Sequence, residues 1–315
     1  DTIEGWSDAV GVLVSSYFDQ FLGEELFVEY SGKNVNFDYS EIRPAGSYLK
    51  SSGGKAPGPE PLKKALTNIR KILDKALKDG QSKLSPIQAY DIVMHTADAV
   101  ISGGVRRSAT ICVFSPDDEE MAKAKTGTWF IDNPQRGRSN NSALLLRDET
   151  SKEQFAELMK SVKEFGEPGF VWSDSTELLV NPCVEIGMWP VCEKTKESGW
   201  QACNLSTINC SKIKTEQDFF DACRAATIIG TLQAGFAEFE YLGKASERII
   251  AREALLGVSM TGIMEQHEIC LDATAQKRGA NIVKKTNKRI AGMIGINQAA
   301  RTTCIKPEGT SSCIL

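Results

Sequence analysis

Strand and helix signals alternate along the stretch that begins Ser142-Ala143-Leu144-Leu145-Leu146 and ends Gly169-Phe170-Val171-Trp172. Both ends are short apolar runs, which predict strands because they are too short for helices. Between them, apolar residues recur at the spacing of one helix face, at Phe155, Leu158, Val162 and Phe165. We expect this helix to start near Thr150 or Ser151. A strand, a helix and a second strand in this order predict an α/β fold.

The same alternation continues in both directions from this stretch. Further strands are predicted at Leu26–Tyr30, Thr110–Phe114 and Thr302–Ile305. Amphipathic helices are predicted around residues 3–21, 62–77, 87–101, 216–237 and 274–294. Several of the strands are continuous apolar runs, which suits strands covered on both faces, as in a barrel or a doubly wound sheet.

The composition is that of a globular protein. The chain has 315 residues, of which 41% are apolar and 25% charged, and these values exclude disordered, collagen-like and coiled-coil proteins. No apolar run approaches the eighteen or so residues that would span a membrane. A formal net charge of −4 disfavours a general nucleic-acid-binding surface. We therefore expect a small-molecule partner, with neither a membrane nor a nucleic acid bound directly.

The cysteines are more typical of reduced thiols than of a disulfide scaffold. There are 9, an odd number, with no CxxC spacing, in a chain long enough to bury its own core. The only histidines are His95 and His267, so a histidine-based metal site is not expected. These features predict a cytoplasmic protein. The chain starts at Asp1 without a methionine and stops in an apolar run at Leu315, so we expect a fragment of a longer protein.

One motif places three reactive side chain types at alternate positions. Asn181, Cys183 and Glu185 stand at i, i+2 and i+4, so in an extended strand all three side chains point to one face. A thiol between an amide and a carboxylate indicates an active-site face. The alternative is that Cys183 is packed as a small apolar residue.

A second thiol follows in a β-prone polar run. Cys203 lies within Ala202–Asn209, beside two amides and two hydroxyls that could hold the hydroxyl groups of a sugar. An ordinary polar strand is the alternative interpretation of this run.

Four motifs together resemble a known family. Asn181–Ile186 and Ala202–Asn209, with Ser102–Ala109 and Lys306–Ser312, resemble the catalytic subunit of ribonucleotide reductases. The resemblance is greatest to the adenosylcobalamin-dependent, monomeric, triphosphate-reducing type. It implies that residues 1–315 are part of one catalytic ten-stranded α/β barrel. Within it, residues 1–109 would form the effector and specificity-loop portion, and residues 110–315 the active-site portion.

The resemblance also implies roles for individual residues. Cys183 would carry a transient thiyl radical that takes the hydrogen from the 3′ carbon of the ribose, while Glu185 removes the 3′-hydroxyl proton and Asn181 orients the sugar. Cys203 would be one of two thiols that become a disulfide, and its family partner lies upstream of the part matched by Asp1. Cys192 and Cys210 are expected to be structural.

The resemblance implies a triphosphate site after the strand Thr302–Ile305. Backbone N–H groups and hydroxyl groups in this segment would donate hydrogen bonds to phosphate oxygens. The residues expected to bind the phosphates are Glu308, Gly309, Thr310, Ser311 and Ser312. Eight Lys or Arg and no acidic residue lie between Gln276 and Lys306, which adds positive potential, although Lys284, Lys285 and Lys288 are better interpreted as a solvated helix face.

The effector site would involve the first part of the chain. Glycines permit a mobile loop and guanidinium groups are forked donors, which suits a specificity loop at Gly103, Gly104, Arg106 and Arg107. Asp1 and Arg43 would line the bound effector, although Arg43 could also be an ordinary surface-turn residue. The polar run Asn140-Asn141-Ser142 would either line the substrate pocket or cap a strand.

The expected cofactor is adenosylcobalamin. The expected partners are a ribonucleoside triphosphate, a deoxynucleotide effector and a thioredoxin-like reductant. Two alternatives lie within radical chemistry: a diphosphate reductase with a separate iron subunit, and a glycyl-radical enzyme, which would not need Cys203. A third is an inactive nucleotide-binding remnant.

Overall fold

The chain divides into two units. A computed structural model describes residues 2–19, 26–49, 54–102, 105–106, 108–239, 242–309 and 313. The first unit is Asp1–Asp174 and the second is Ser175–Leu315. The boundary predicted after residue 109, between an effector portion and an active-site portion, lies inside the first unit and stays a prediction.

The first unit contains helices at its start and an α/β part after them. Its helices are α1 (Ile3–Ser15), α2 (Glu60–Lys78), α3 (Pro86–Ala99), α4 (Glu119–Ala122), α5 (Trp129–Asp132) and α6 (Lys152–Phe165). Its strands are β1 (Ile101–Ser102), β2 (Val105–Arg106), β3 (Thr110–Phe114), β4 (Ser139–Leu146) and β5 (Gly169–Ser173). Short 3-10 turns lie at Val28–Tyr30 and Pro134–Arg138.

The predicted strand–helix–strand unit is confirmed. Strands β3, β4 and β5 form a parallel sheet in that order, and α6 connects β4 to β5. Ser151 caps α6 with a reciprocal Gln154 contact, which confirms the predicted start. Ala143 and Leu145 of β4 are fully buried, and they pack with Leu158 of α6.

The helical start of the chain has its own core, in which Leu13, Leu66, Ile69 and Leu73 join α1 to α2. The prediction that α1 continues to residue 21 is wrong, because the helix ends at Ser15. The predicted strand Leu26–Tyr30 is also wrong. Phe27 has a left-handed φ of 63°, and its ring covers Gly11 of α1, so this segment turns against a helix instead of pairing with a strand.

The second unit has two long helices beside a short parallel sheet. Its strands are β6 (Leu179–Val180), β7 (Gly187–Met188), β8 (Cys203–Asn209) and β9 (Leu255–Thr261). Its helices are α7 (Glu216–Ala234), α8 (Gly243–Glu253), α9 (His267–Cys270) and α10 (Ala273–Ile294). The helices predicted at 216–237 and 274–294 are therefore confirmed within three residues at their ends.

The strands β8 and β9 form a two-stranded parallel sheet, and the prediction of a strand at Thr302–Ile305 is wrong, because the segment 301–304 follows β9 with a single isolated bridge. Val258 of β9 pairs with Thr303, and the Cys304 N–H donates to the Val258 carbonyl at 3.2 Å. One face of this sheet packs on helices α7 and α10, where Ile208 and Val258 join an apolar cluster with Phe219, Cys223 and Val283. The opposite face carries the residues of the candidate site.

Neither α8 nor β9 was predicted from the sequence. A helix is normally separated from a strand by a Gly, Asn or Pro signal, but here Ala254 adopts the left-handed conformation at the end of α8, with φ of 41°. The sequence therefore carries no visible boundary between the two elements.

Two features are absent from the described residues. No described helix combines the length and the apolar character needed to cross a bilayer. Within the same residues, no three His, Cys, Asp or Glu side chains are grouped as metal ligands.

Candidate active site

The motif Asn181–Ile186 is the tip of a hairpin. Strands β6 and β7 pair antiparallel, and between them the Val184 N–H donates to the Asn181 carbonyl at 2.8 Å. The Asn181 side chain closes the turn, because its Oδ1 accepts the Ile186 N–H at 3.0 Å. Val184 has a φ of 67°. The prediction of an extended strand is therefore wrong, and Cys183 lies exposed at the tip of a turn.

Glu185 turns inward from this hairpin. Both carboxylate oxygens are shielded from solvent, and neither accepts a hydrogen bond from any residue that the structure describes. A buried carboxylate without partners is costly, so such a group in a folded protein requires an explanation. A bound ligand with hydroxyl groups would supply the missing donors.

Cys203 begins β8 on the face that points away from the helices. Alternation along the strand sends Ser206 and Ile208 toward α7, where the Ser206 hydroxyl donates to the Ala226 carbonyl at 3.2 Å. Cys203, Leu205 and Thr207 therefore point to the opposite face. Burial raises the pKa of the Cys203 thiol to about 12, with smaller contributions from the charges of Cys304 and Glu185. The thiol is thus protonated at neutral pH.

A third thiol on this face, Cys304, was not predicted. Burial is the main cause that raises the pKa of the Cys304 thiol to about 11, and the charge of Glu185 is the second cause. Its Sγ lies over Gly257 of β9, where an added Cβ would be 3.0 Å from the sulfur and 3.4 Å from Ile186 Cδ1. That Cβ would also overlap Leu205 Cδ2. The bare backbone at Gly257 therefore lets Cys304, Leu205 and the Glu185 hairpin come together. The sequence signal was a cysteine two positions before Lys306, inside a predicted strand.

The sheet register separates Cys304 from Cys203. Cys203 pairs with Leu255, whereas Cys304 follows the partner of Val258. Cys304 therefore lies beside Ser259, and two strand spacings across and four residues along place the two Cα atoms roughly 16 Å apart. Disulfides join Cα atoms less than about 7 Å apart, so these thiols cannot bond to each other without backbone movement.

The segment expected to bind phosphate starts at the carboxyl end of this sheet. The Lys306 N–H donates to Ser259 Oγ of β9 at 2.9 Å. The Glu308 carboxylate accepts a hydrogen bond from Thr207 Oγ1 of β8 at 2.7 Å, and Lys306 Nζ lies 3.4 Å from it. Gly309 follows this buried side chain. Thr310, Ser311 and Ser312 lie outside the described residues.

Most of the residues expected at the effector site also lie outside the described part of the chain, namely Asp1, Gly103, Gly104 and Arg107. The described residues on either side of the two glycines pair antiparallel as β1 and β2, and Arg106 belongs to β2. Arg43 lies half-buried just before a loop in which the Gly46 N–H donates to the Ala56 carbonyl at 2.9 Å.

The two asparagines of β4, Asn140 and Asn141, point to opposite faces of the sheet because side chains alternate along a strand. Asn141 is buried on the helix side, where its Oδ1 accepts hydrogen bonds from Tyr90 at 3.0 Å and Ser139 at 2.8 Å. Burial raises the pKa of Tyr90 to about 12. Asn140 is exposed on the opposite face. Because β4 begins at Ser139, both asparagines lie inside the strand and do not cap it, and a role in a pocket remains a prediction.

The two cysteines expected to be structural are both buried. Cys210 is fully buried in the cluster between β8 and α7, and burial raises its pKa to about 12. Cys192 is 2% exposed, and hydrogen bonds from the hydroxyl and backbone of Thr195 lower its pKa to about 7.

The chain is similar to known proteins in sequence. A family model described as "B12-dependent ribonucleotide reductase, insertion domain" matches residues 1–73. A probable adenosylcobalamin-dependent ribonucleoside-triphosphate reductase of Dictyostelium discoideum is 27% identical, covering 100% of this chain and 40% of that protein. The Euglena gracilis adenosylcobalamin-dependent ribonucleoside-triphosphate reductase is 26% identical, and the match covers 100% of this chain and 42% of that protein.

A solved structure extends the match to the fold. A crystal structure of a B12-dependent (class II) ribonucleotide reductase superposes with a TM-score of 0.73 at 23% identity, over 98% of this chain and 46% of that one. The chain thus spans less than half the length of the relatives it matches. It has the α/β fold of part of a class II ribonucleotide reductase barrel, and it resembles adenosylcobalamin-dependent ribonucleoside-triphosphate reductases in sequence along its whole length.

Proposed function

We propose that this chain carries the active site of an enzyme that reduces ribonucleoside triphosphates to 2′-deoxyribonucleoside triphosphates. One observation carries the proposal. The Glu185 carboxylate is buried without a hydrogen-bond donor among the described residues, on a hairpin whose tip exposes the Cys183 thiol. A ribose supplies the hydroxyl groups that such a carboxylate lacks. This function is also in the names of the relatives.

The hairpin supplies the groups for the first step. The Cys183 sulfur, as a thiyl radical, takes the hydrogen atom from the 3′ carbon, while a Glu185 oxygen accepts the proton of the 3′-hydroxyl. Asn181 already uses its Oδ1 to close the turn, so its NH₂ group is the part that would donate to the sugar hydroxyls. The turn thereby fixes the distance between sulfur and carboxylate before the nucleotide arrives.

The reduction itself needs two thiols. The C2′–O bond breaks and a C2′–H bond forms, while two S–H bonds are replaced by one S–S bond, which supplies the two electrons; one of the two hydrogens goes to C2′ and the other leaves with the hydroxyl as water. Cys203 is the first of these thiols, and its high pKa keeps its hydrogen in place until the reaction. The second would be a cysteine of the longer family protein, as the family resemblance implies. A thioredoxin-like dithiol would restore the pair.

The remaining parts follow from the family resemblance. The segment from Glu308 and Gly309 to Thr310, Ser311 and Ser312 receives the triphosphate. A deoxynucleotide effector would act through the specificity loop that the resemblance assigns to Gly103, Gly104, Arg106 and Arg107, with Asp1 and Arg43 lining its site. The enzyme would work in the cytoplasm.

The cofactor would be adenosylcobalamin, which when bound supplies the radical that Cys183 carries. The exposed thiol at the hairpin tip fits this role, because the sulfur is accessible to a group lying outside the fold of the chain. The shielded Glu185 behind it is kept from solvent.

The test compares two cysteine variants in the full-length protein. We expect Cys183→Ala to abolish reduction while nucleotide binding survives, because only the radical-carrying sulfur is lost. Cys203→Ser should still permit radical formation, which electron paramagnetic resonance detects. The same variant should not produce deoxynucleotides with a dithiol reductant. Cys112→Ala, a half-buried thiol of β3, is the matched control and should remain active. Turnover by Cys183→Ala would refute the radical assignment, and normal multiple turnover by Cys203→Ser would refute the role of that thiol.

A further inference from the structure

Two hydroxyls at the same level of the sheet hold the segment 306–309. Thr207 of β8 and Ser259 of β9 are paired in the parallel register. Ser259 receives the Lys306 N–H, and Thr207 donates to the Glu308 carboxylate. The segment is thus fastened outside the carboxyl ends of parallel strands, which is where ligands bind in α/β proteins.

Glu308 is an unusual residue for a phosphate-binding segment. Its side chain is only 7% exposed, and a carboxylate is tolerated at such burial when it is paired and hydrogen-bonded. The Thr207 hydroxyl at 2.7 Å and Lys306 Nζ at 3.4 Å supply these contacts. Since a carboxylate repels phosphate, its contribution to phosphate binding must be indirect.

Lys306 is the group through which this indirect effect can act. Its ammonium group is a compact positive charge of the kind that binds phosphate, and its side chain is 24% exposed, so it can reach a ligand. While Lys306 is paired with Glu308, much of its charge is neutralised. The pair therefore determines how strongly this segment attracts an anion.

We propose that Glu308 is a positioning residue with two opposing effects on the phosphate groups of the nucleotide. Through Thr207 it fixes the segment on β8, which favours binding. Through Lys306 it restrains the cation, which weakens binding and keeps product release possible. This inference rests on the proposed function, in which the segment receives a triphosphate.

Two substitutions separate the effects, because they should change affinity in opposite directions. Glu308→Gln keeps an oxygen for Thr207 but releases Lys306, so we expect a nucleoside triphosphate to bind roughly threefold to tenfold more tightly. Thr207→Val removes the hydrogen bond but keeps the ion pair, so binding should weaken by about fivefold. Isothermal titration calorimetry of the full-length protein measures both. The parent nucleoside, which lacks phosphate, should show no change with Glu308→Gln.

Two further variants serve as controls. Thr207→Ser restores the hydroxyl and should rescue the affinity that Thr207→Val loses. Glu268→Gln removes an exposed carboxylate from α9 and should leave the affinity unchanged. If Glu308→Gln weakens binding as Thr207→Val does, Glu308 only supports the segment and the inference is wrong. The inference also fails if both variants bind like the native protein. If the native protein binds no nucleoside triphosphate, the proposed function itself fails.

Discussion

At the scale of single residues, the charge of Glu185 acts on two thiols. It is among the causes that raise the pKa of Cys203 and of Cys304. We expect Glu185→Gln to lower both pKa values, because a neutral amide no longer opposes formation of a thiolate. The alkylation rate of each cysteine-containing peptide, followed by mass spectrometry against pH, should then rise at lower pH than in the native protein. Glu268→Gln is the control, and identical profiles for Glu185→Gln would contradict the prediction.

A second residue-scale prediction concerns Gly257. A Cβ at this position would overlap Leu205 Cδ2 and crowd the Cys304 sulfur, so Gly257→Ala should displace these two side chains on the site face of the sheet. We expect it to reduce the free energy of unfolding by about 1–3 kcal/mol, as overpacking does, and to lower reductase activity. Adding Leu205→Ala makes room and should restore part of the activity. If the double variant is no more active than Gly257→Ala, the steric explanation is wrong.

At the scale of elements, a buried ion pair connects α3 to the turn that leads into β4. The Asp91 carboxylate accepts hydrogen bonds from Arg136 Nε at 2.8 Å, Arg136 Nη2 at 2.6 Å and Gln135 Nε2 at 2.9 Å. Both charged side chains are nearly buried. Removing one partner of such a pair leaves the other charge uncompensated, which is costly.

We therefore expect Asp91→Asn to lower the free energy of unfolding by about 3 kcal/mol in a urea titration. Asp98→Asn is a matched control on the same helix, since Asp98 pairs with Arg138 at 2.6 Å but in a more exposed position. The control should cost less than about 1 kcal/mol. Equal losses for the two variants would show that burial does not determine the contribution of these pairs.

At the scale of the whole molecule, buried thiols should make the fold sensitive to alkali. Burial raises the pKa of Cys210 to about 12 and that of Cys223 to about 11, whereas an unfolded cysteine ionises near 8.5. The unfolded chain thus releases these protons first. The stabilisation is fully present below about pH 8.5 and is lost as the pH rises toward 11 or 12.

We expect urea titrations in the presence of a reductant to show a falling free energy of unfolding between pH 8 and pH 10. Each of these two thiols should contribute on the order of 1–2 kcal/mol at pH 10. Cys223→Ala removes one of the groups and should give a shallower decline than the native protein. A slope unchanged by this substitution would refute the role of the thiol.

The sequence by itself determined the α/β alternation, most of the long helices and the main chemical groups of the site. Apolar spacing depends on which side chains are neighbours along a helix or strand, and this information is local. It therefore predicted the unit β4–α6–β5 and the β-prone run that carries Cys203 in β8. The family resemblance came from short motifs that are also local.

Only the tertiary structure decided how the motifs meet. Asn181, Cys183 and Glu185 form a hairpin turn because Asn181 closes it onto Ile186, and strand spacing alone could not show this. Cys304 joins the site because Gly257, 47 positions earlier in the chain, leaves the space that its sulfur fills. The Thr207–Glu308 contact links residues 101 positions apart. Such contacts depend on which strands become neighbours in the folded sheet, and no local pattern in the sequence contains that pairing.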